Sequence, residues 1–508
     1  MNRLQRSTIN MLSSVAGYAI PMAINLVTTP LLLRAMGEAA YGLQSLVAVV
    51  IGYMTVMDMG LELPIAKLLA EDHSGQDDTA VNKLLSMSLL LYACIGLVGM
   101  AVIMIMADWL ARSFFKVPTD LVNQAIVVFY LAGIGFFGSV GMSWGRAVMV
   151  GMQRFDLCYS VSVILSALGT LTGLGVVYAG YGVVGYVMTR MLFTIIAFPV
   201  YLCITHRLLP KFSFRFELHR ATFNRIRYYL GYSTFNKIVS VLVSRLDQTL
   251  LGIWVGLSAA GIYSVPFLVV TSLGYMLAFM LAFIFPMASE LQSLGQMDRL
   301  RDIYMRSSKF IASLAGLIFI PLFVFADQIL LLWTPSIAAQ ATMVLRLLAI
   351  AGYIGALTAT MPNNVAVALG KIRFFTFYAT IRNVVLASLC FILIRPFGIE
   401  GAGWAVLITC TVDVFYFFIF MKRHLQIPSL QFIKTAYLRP MALGVVFTGL
   451  TYFLRPFATS WFGLGLTVSV LCCVYTIIGF AVGIFGDTEK RALESIISVF
   501  LRKPKCSV

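Results

Sequence analysis

Apolar runs of 18 or more residues recur from one end of this chain to the other, and each is long enough to cross about 30 Å of hydrocarbon as a helix. The run LLLYACIGLVGMAVIMIM, residues 89–106, is typical. Only helices and closed barrels satisfy their backbone polar groups inside a bilayer. A barrel strand would alternate apolar and polar over roughly 10 residues, and these runs do not alternate. The expected fold is therefore an all-α integral membrane protein. Composition agrees: 60% of the residues are hydrophobic and 11% are charged, against roughly 25% charged in a soluble domain.

About 14 spans are expected, at 10–33, 41–66, 83–107, 122–148, 157–178, 183–205, 230–254, 261–288, 307–333, 341–369, 374–395, 401–423, 438–455 and 461–485. The first is read as an uncleaved span, because its apolar core outruns that of a signal peptide. With the N-terminus in the cytoplasm, the cytoplasmic segments and the span ends beside them carry 27 of the 37 Lys and Arg, and the external loops carry five. That asymmetry predicts cytoplasmic N- and C-termini. It also accounts for the net charge of +16 without nucleic acid as a partner. The segment 206–229 is the largest cytoplasmic loop and is basic with interleaved aromatics. It reads either as a solvated linker or as an amphipathic contact with anionic phospholipid headgroups.

The eight cysteines form no CxxC pair, and seven of them lie in apolar segments. The four histidines fall in loops or at helix ends. No metal site, cofactor site or catalytic dyad is expected. The longest external loop, 108–121, offers only ordinary loop charges, so an enzyme is not expected.

Two halves of the chain match at one offset. MGEAAYG ends at Gly42 and VGLSAAG at Gly261; GMQRF starts at Gly151 and GKIRF at Gly370, each pair 219 residues apart. After a small gap, YGVVG (181–185) corresponds to FGIEG (397–401). Spans 1–6 and 7–12 thus read as two pseudo-symmetric six-helix lobes, with two C-terminal helices added. The expected divisions are an N-terminal lobe at 1–206, a basic linker at 207–229, a C-terminal lobe at 230–424, and two further helices with a basic tail at 425–508. An even number of helices per repeat gives both lobes the same orientation, as in secondary transporters that alternate access around a shared cavity.

Polar residues inside spans mark candidate sites. On the seventh span Ser233, Asn236, Lys237, Ser240, Ser244, Asp247 and Gln248 fall within an arc of about 120° if the helix is continuous, with Arg245 beside it. On the first span Asn10, Ser13, Ser14, Gly17, Pro21, Asn25 and Thr28 share a face, and Ser14, Asn25 and Thr28 map onto Ser233, Ser244 and Asp247. Both stripes read as cavity lining or as helix packing through small polar residues. Five cations lie within spans: Arg190, Lys237, Arg245, Arg346 and Arg382. Each costs roughly 3 kcal/mol near the membrane centre unless it is relieved. Arg190 and Arg346 sit near helix ends and can snorkel or pair. Arg245, Lys237 and Arg382, with Asp247, Ser244 and Asn25, are the candidate substrate-binding residues. Asp58 and Glu62, four apart on the second span, and Asp413 on the twelfth are candidates for proton or sodium coupling. For Asp58 and Glu62 a hydrogen-bonding role at the cytoplasmic end is the plainer alternative.

PLLLRAMGEAAYGL, followed by MDMGLELPIAK, resembles the opening of the polysaccharide transporter family, which includes the O-antigen flippases; SRLDQTLLGIWVGLSAAGIYSV resembles the start of that family's second half. The resemblance covers most of the chain and extends to two sister branches, the lipid II flippases and the multidrug and toxin extrusion antiporters. It implies a two-lobed fold with a cationic central cavity. It also implies an inner-membrane flippase that moves undecaprenyl-diphosphate-linked oligosaccharide from the cytoplasmic to the periplasmic leaflet. The product would be O-antigen, capsule or exopolysaccharide, and the polysaccharide polymerase machinery a partner. An ion-coupled antiporter of small cations is the alternative.

Overall fold

A computed structural model describes residues 3–58, 60–75, 77–215, 219–220, 222–227, 241, 243, 245–281, 284–481 and 483. These residues are helical almost throughout. Ten of the described helices are long and apolar enough to cross a membrane, and two of them, Phe155–Leu208 and Arg373–Leu425, run to 54 and 53 residues. Such lengths would span a bilayer twice, and both contain a break. In the first, Gly180 and Gly182 have positive φ; in the second, Gly398 does. Gly182 (φ 57°, ψ −150°) and Gly398 (φ 54°, ψ −130°) share one backbone conformation, a region essentially closed to residues with a Cβ. They occupy the same place in YGVVG and FGIEG, and each falls in the gap between two expected spans.

Two other expected spans are not among the ten. Residues 230–254 lie largely outside the described residues, and Leu438–Phe453 is a helix of 16 residues.

The second span differs from its expected form. One helix was predicted over 41–66, but Glu38–Met54 gives way to a 3-10 turn at Thr55–Asp58, and a separate helix, Glu62–Ser74, follows. Gly60 takes φ 75° at the break, and the Asp58 carboxylate accepts a hydrogen bond from the Gly60 N–H at 2.8 Å. The seventh span is also interrupted. Arg245 has non-helical angles (φ −130°, ψ 12°), and a helix starts after it at Leu246 and runs to Trp254.

The described helices group into two compact units. The first comprises Met1–Val269 and Ala379–Ala405; the second comprises Val270–Tyr378 and Val406–Val508. Packing in the first unit depends on close backbone approach. A Cβ added to Gly42 would lie 2.0 Å from the Leu257 carbonyl oxygen, and one added to Gly261 would lie 2.9 Å from the Gly42 nitrogen. The two glycines that match at the 219-residue offset therefore touch each other, and only glycine lets the helices meet there. In the second unit the two C-terminal helices pack on the Met297–Val324 helix. Phe447 and Tyr475 are buried with Val324 and Phe325, and the Tyr475 hydroxyl donates to the Ser313 carbonyl at 2.9 Å.

Candidate functional site

Buried charge within spans is costly, so the fate of each in-span ion shows what the helices are built to hold. Three arginines pair with carboxylates, two of them with the same one. Arg146, on the Val122–Gly151 helix, donates to Glu62 at 3.1 Å and to Ser143 at 3.2 Å. Arg346 and Arg455 both bind Asp327, the former at 3.4 Å. Arg346 is thus paired, as its position predicts. The partner is Asp327, a residue of the ninth span that the sequence did not single out.

Arg245 and Arg190 are different: among the described residues neither makes an ion pair. The Arg245 guanidinium donates to the side-chain oxygen of Gln248 at 3.2 Å and lies 5.6 Å from the centre of the Phe267 ring. Arg190 reaches only the Tyr186 hydroxyl, at 3.4 Å, and leans over that ring. Both side chains are half-buried. Gln248, Phe267 and Tyr186 hold these cations without an ion pair, and the buried Asp247 carboxylate lies within electrostatic reach of Arg245.

Around them the first unit gathers further polar groups. Asp247 is buried, accepts a hydrogen bond from the Tyr263 hydroxyl at 2.6 Å and caps the Gln248 N–H at 2.8 Å. Tyr53 and Thr249 share a hydrogen bond of 2.6 Å between the Glu38–Met54 and Leu246–Trp254 helices. The Tyr41 hydroxyl lies beside those of Thr29 and Ser264, within electrostatic reach of Arg190. At the C-terminal end of the Leu246–Trp254 helix, Arg395 lies 4.5 Å from the centre of the Trp254 ring.

The other candidates divide as follows. Asn25 is half-buried in the Arg3–Met36 helix. Arg382 belongs to the first unit, is half-buried and is engaged by a neighbour. Lys237 and Ser244 lie outside the described residues. Arg245 is not helical, so the continuous helix on which the polar arc of the seventh span depends is interrupted there. Asp58 and Glu62 do not share one helix face: the break at Gly60 separates them, Asp58 caps the break and Glu62 binds Arg146. Asp413, in the second unit, is buried and accepts a hydrogen bond from Tyr378, whose ring stacks on Tyr416 at 3.7 Å. Among the described residues no group of three His, Cys, Asp or Glu side chains is arranged to hold a metal ion.

Arg190 and Arg146 are the residues sequence reasoning undervalued. Arg190 was expected to snorkel or pair, and Arg146 was counted with the cytoplasmic cations. Arg146 lies five residues before the end of the Val122–Gly151 helix and Arg190 eight residues after the start of the Gly182–Leu208 helix, and such positions give little sequence signal of whether a carboxylate waits on another helix.

Known proteins share this architecture. The lipid II flippase MurJ in an inward closed conformation superposes with a TM-score of 0.73 at 11% identity, over 94% of this chain and all of that one. An inward-facing multidrug resistance MATE transporter of the MOP superfamily gives 0.63 at 18% identity, over 82% of this chain and 99% of that one. A MOP superfamily transporter from Pyrococcus furiosus, described as having a binding pocket of reverse polarity, gives 0.59 at 17% identity over 83% and 96%. These likenesses establish the fold. In sequence, a Shigella flexneri protein provisionally named an O-antigen transporter is 20% identical over 411 residues, which cover 78% of this chain and 94% of that protein. The profile of the family described as polysaccharide biosynthesis protein matches residues 31–335, more than half of the chain. The chain belongs to that family of polysaccharide biosynthesis proteins.

Proposed function

We propose that the protein flips undecaprenyl-diphosphate-linked oligosaccharide from the cytoplasmic to the periplasmic leaflet of the inner membrane, supplying surface polysaccharide synthesis. The observation that carries this reading is the pair of half-buried cations, Arg245 and Arg190, held in the first unit by neutral side chains. Elsewhere, Arg146 is paired with Glu62 and Arg346 with Asp327. A cation left uncancelled in a low-dielectric site is suited to an anion that comes and goes. The diphosphate is such a group. The glycan beyond it meets hydroxyls and amides such as those of Tyr53, Thr249 and Gln248, while the polyprenyl chain stays in lipid. Arg382 and Lys237 are proposed to join Arg245 on the diphosphate. Asp247, tied to Tyr263, positions the helix start that presents Arg245; Ser244 and Asn25 are proposed to contact the glycan.

The relative named for O-antigen transport and the superposition with the lipid II flippase support this cargo class. So does the charge. The Pyrococcus furiosus protein, with its reversed pocket polarity, indicates that the sign of the pocket varies within this fold. Here the half-buried side chains without an ion pair among the described residues, Arg245 and Arg190, are positive. A cation antiporter would need the opposite sign. Alternating access between the two lobes, driven by a proton or sodium gradient, completes the proposal. Asp413, Asp58 and Glu62 are the proposed coupling residues; each is engaged, Asp413 by Tyr378, Asp58 by the Gly60 N–H and Glu62 by Arg146.

The test is surface glycan production in a strain lacking its own transporter. Arg245→Lys is expected to retain part of the export, and Arg245→Ala and Arg245→Glu to lose nearly all of it, with each protein inserted at parental levels. Arg190→Glu is expected to behave as Arg245→Glu. Normal export by Arg245→Glu and Arg190→Glu together would remove the anion-binding role.

A further inference from the structure

The first part of the basic segment 206–229 is bound to the first unit. Just past the Gly182–Leu208 helix, the Asn82 side chain donates to the Lys211 carbonyl at 3.1 Å and accepts from the Ser213 N–H at 3.2 Å. Two residues on, the Arg215 N–H donates to the Ser86 hydroxyl at 3.2 Å. Lys211 is paired with Asp78, and Phe212 is buried with its ring centre 6.4 Å from that of Trp144. Residues 211–215 thus lie along the first turns of the Asp78–Trp109 helix, and a cavity of about 150 Å³ opens between the two. One wall is Thr79, Asn82, Lys83 and Ser86, which recur at helical spacing; the other is Ser213, Arg215 and His219.

Among the described residues the wall holds two cations, Lys83 and Arg215, three hydroxyls and no carboxylate. Asp77 and Asp78 are close in sequence but are already engaged. Asp77 caps the helix, accepting from the N–H groups of Thr79 and Ala80, and Asp78 holds Lys211. Lys83 and Arg215 are exposed and make no ion pair among the described residues. Ser86 is buried; its oxygen accepts the Arg215 N–H, and its own proton has no acceptor among the described residues. Two cations and hydroxyl donors on a concave wall suit an anion with several acceptor oxygens. The volume lies below the roughly 300–1,000 Å³ of small-molecule sites, which leaves room for a phosphate group and none for an oligosaccharide. Lys83 also heads an apolar stripe. Leu90, Cys94, Leu97, Ala101 and Ile105 all fall within about 40° of it on the same helix, at 100° per residue. Leu90 is half-buried, and the four beyond it are exposed.

We propose that the cavity between Lys83 and Arg215 holds the phosphate of an anionic phospholipid whose acyl chain lies along the stripe from Leu90 to Ile105. Cations at one end of a spanning helix, with bare apolar side chains further along the same face, match the two parts of such a lipid. A zwitterionic headgroup would bring an ammonium toward two cations that have no carboxylate between them. The proposal rests on the transmembrane reading of the Asp78–Trp109 helix and is independent of what the first unit transports.

The experiment is native mass spectrometry of the full chain released from detergent micelles containing phosphatidylglycerol and phosphatidylethanolamine, with and without an excess of inorganic phosphate. The variant is Lys83→Ala/Arg215→Ala, and the control is Arg299→Ala/Arg423→Ala, which removes two exposed cations elsewhere. Two cations at an anionic lipid predict that the variant loses roughly tenfold to a hundredfold in phosphatidylglycerol retention. The control and phosphatidylethanolamine retention should not change, and inorganic phosphate should not displace the lipid. Lys83→Arg/Arg215→Lys keeps both charges and should retain phosphatidylglycerol as the parent does, which separates lost charge from misfolding. Parental retention by Lys83→Ala/Arg215→Ala, an equal loss in the control, or a loss as deep in the charge-preserving variant would overturn the proposal. So would displacement of phosphatidylglycerol by inorganic phosphate, which would make the cavity a site for the free ion.

Discussion

Arg146 and Arg245 are both arginines within apolar helices, and the sequence does not separate them. Arg146 has Glu62 at 3.1 Å, brought from a helix 84 residues earlier; Arg245 has an amide and a ring. What divides a structural pair from a binding cation is a tertiary contact, and no local pattern encodes it. Asp327 escaped notice for the same reason: Arg346 and Arg455 reach it from positions 19 and 128 residues later. Asp247 and Asp413 were visible as acids in apolar runs, but their tyrosine partners were not. The side chains of the Glu62–Arg146 pair are each about one-third exposed. Arg146→Met leaves a carboxylate without its partner and should cost about 2 kcal/mol, between the values for surface and buried pairs. Glu62→Gln/Arg146→Met should recover part of that loss. Thermal midpoints of the purified variants measure both. If Glu62→Gln instead keeps the parental midpoint while export becomes insensitive to the ion gradient, Glu62 is the coupling residue and Asp413 is not.

At the scale of elements, most helices were legible because apolar runs of span length permit little else. The breaks were legible only where glycine signalled them. YGVVG and FGIEG announced a turn, and Gly182 and Gly398 take the same positive-φ conformation within it. Gly398→Ala should therefore cost about 1–3 kcal/mol, the strain of placing a Cβ in that region, read as a lowered thermal midpoint with the helices retained. A midpoint unchanged from the parent would mean that the break relaxes freely. The interruption at Gly60 was hidden inside a continuous apolar pattern, and so was the one at Arg245. Neither position carries a proline, and the Asp58 side chain that caps the Gly60 N–H reads in sequence as a lone acid. The glycine match at 42 and 261 was legible as a repeat, but the contact between the two residues was not. Gly42→Ala would push a Cβ into the Leu257 carbonyl. It should abolish folded, detergent-stable protein, whereas Gly52→Ala, with nothing within 4 Å of the added Cβ, should leave it intact.

For the molecule as a whole, ten of the described helices are long and apolar enough to cross a membrane and the chain belongs to a family of polysaccharide biosynthesis proteins; the charge asymmetry gives its proposed orientation, with 206–229 in the cytoplasm and 108–121 outside. In a cysteine-free background, an impermeant thiol reagent applied to intact cells should label a cysteine placed at position 115 and leave one at 215 unlabelled; the reverse pattern would invert the topology. Cargo was the least legible property, because it depends on which cations are left uncancelled after packing. The direct test is reconstitution into vesicles with a polyprenyl-diphosphate oligosaccharide, followed by an impermeant reagent that modifies exposed glycan. The parent protein should bring the inner-leaflet glycan within reach of the reagent, and Arg245→Glu should leave only the outer-leaflet share modified. Glycan that stays out of reach in parent vesicles, while a small organic cation is exchanged for protons or sodium, would contradict the account.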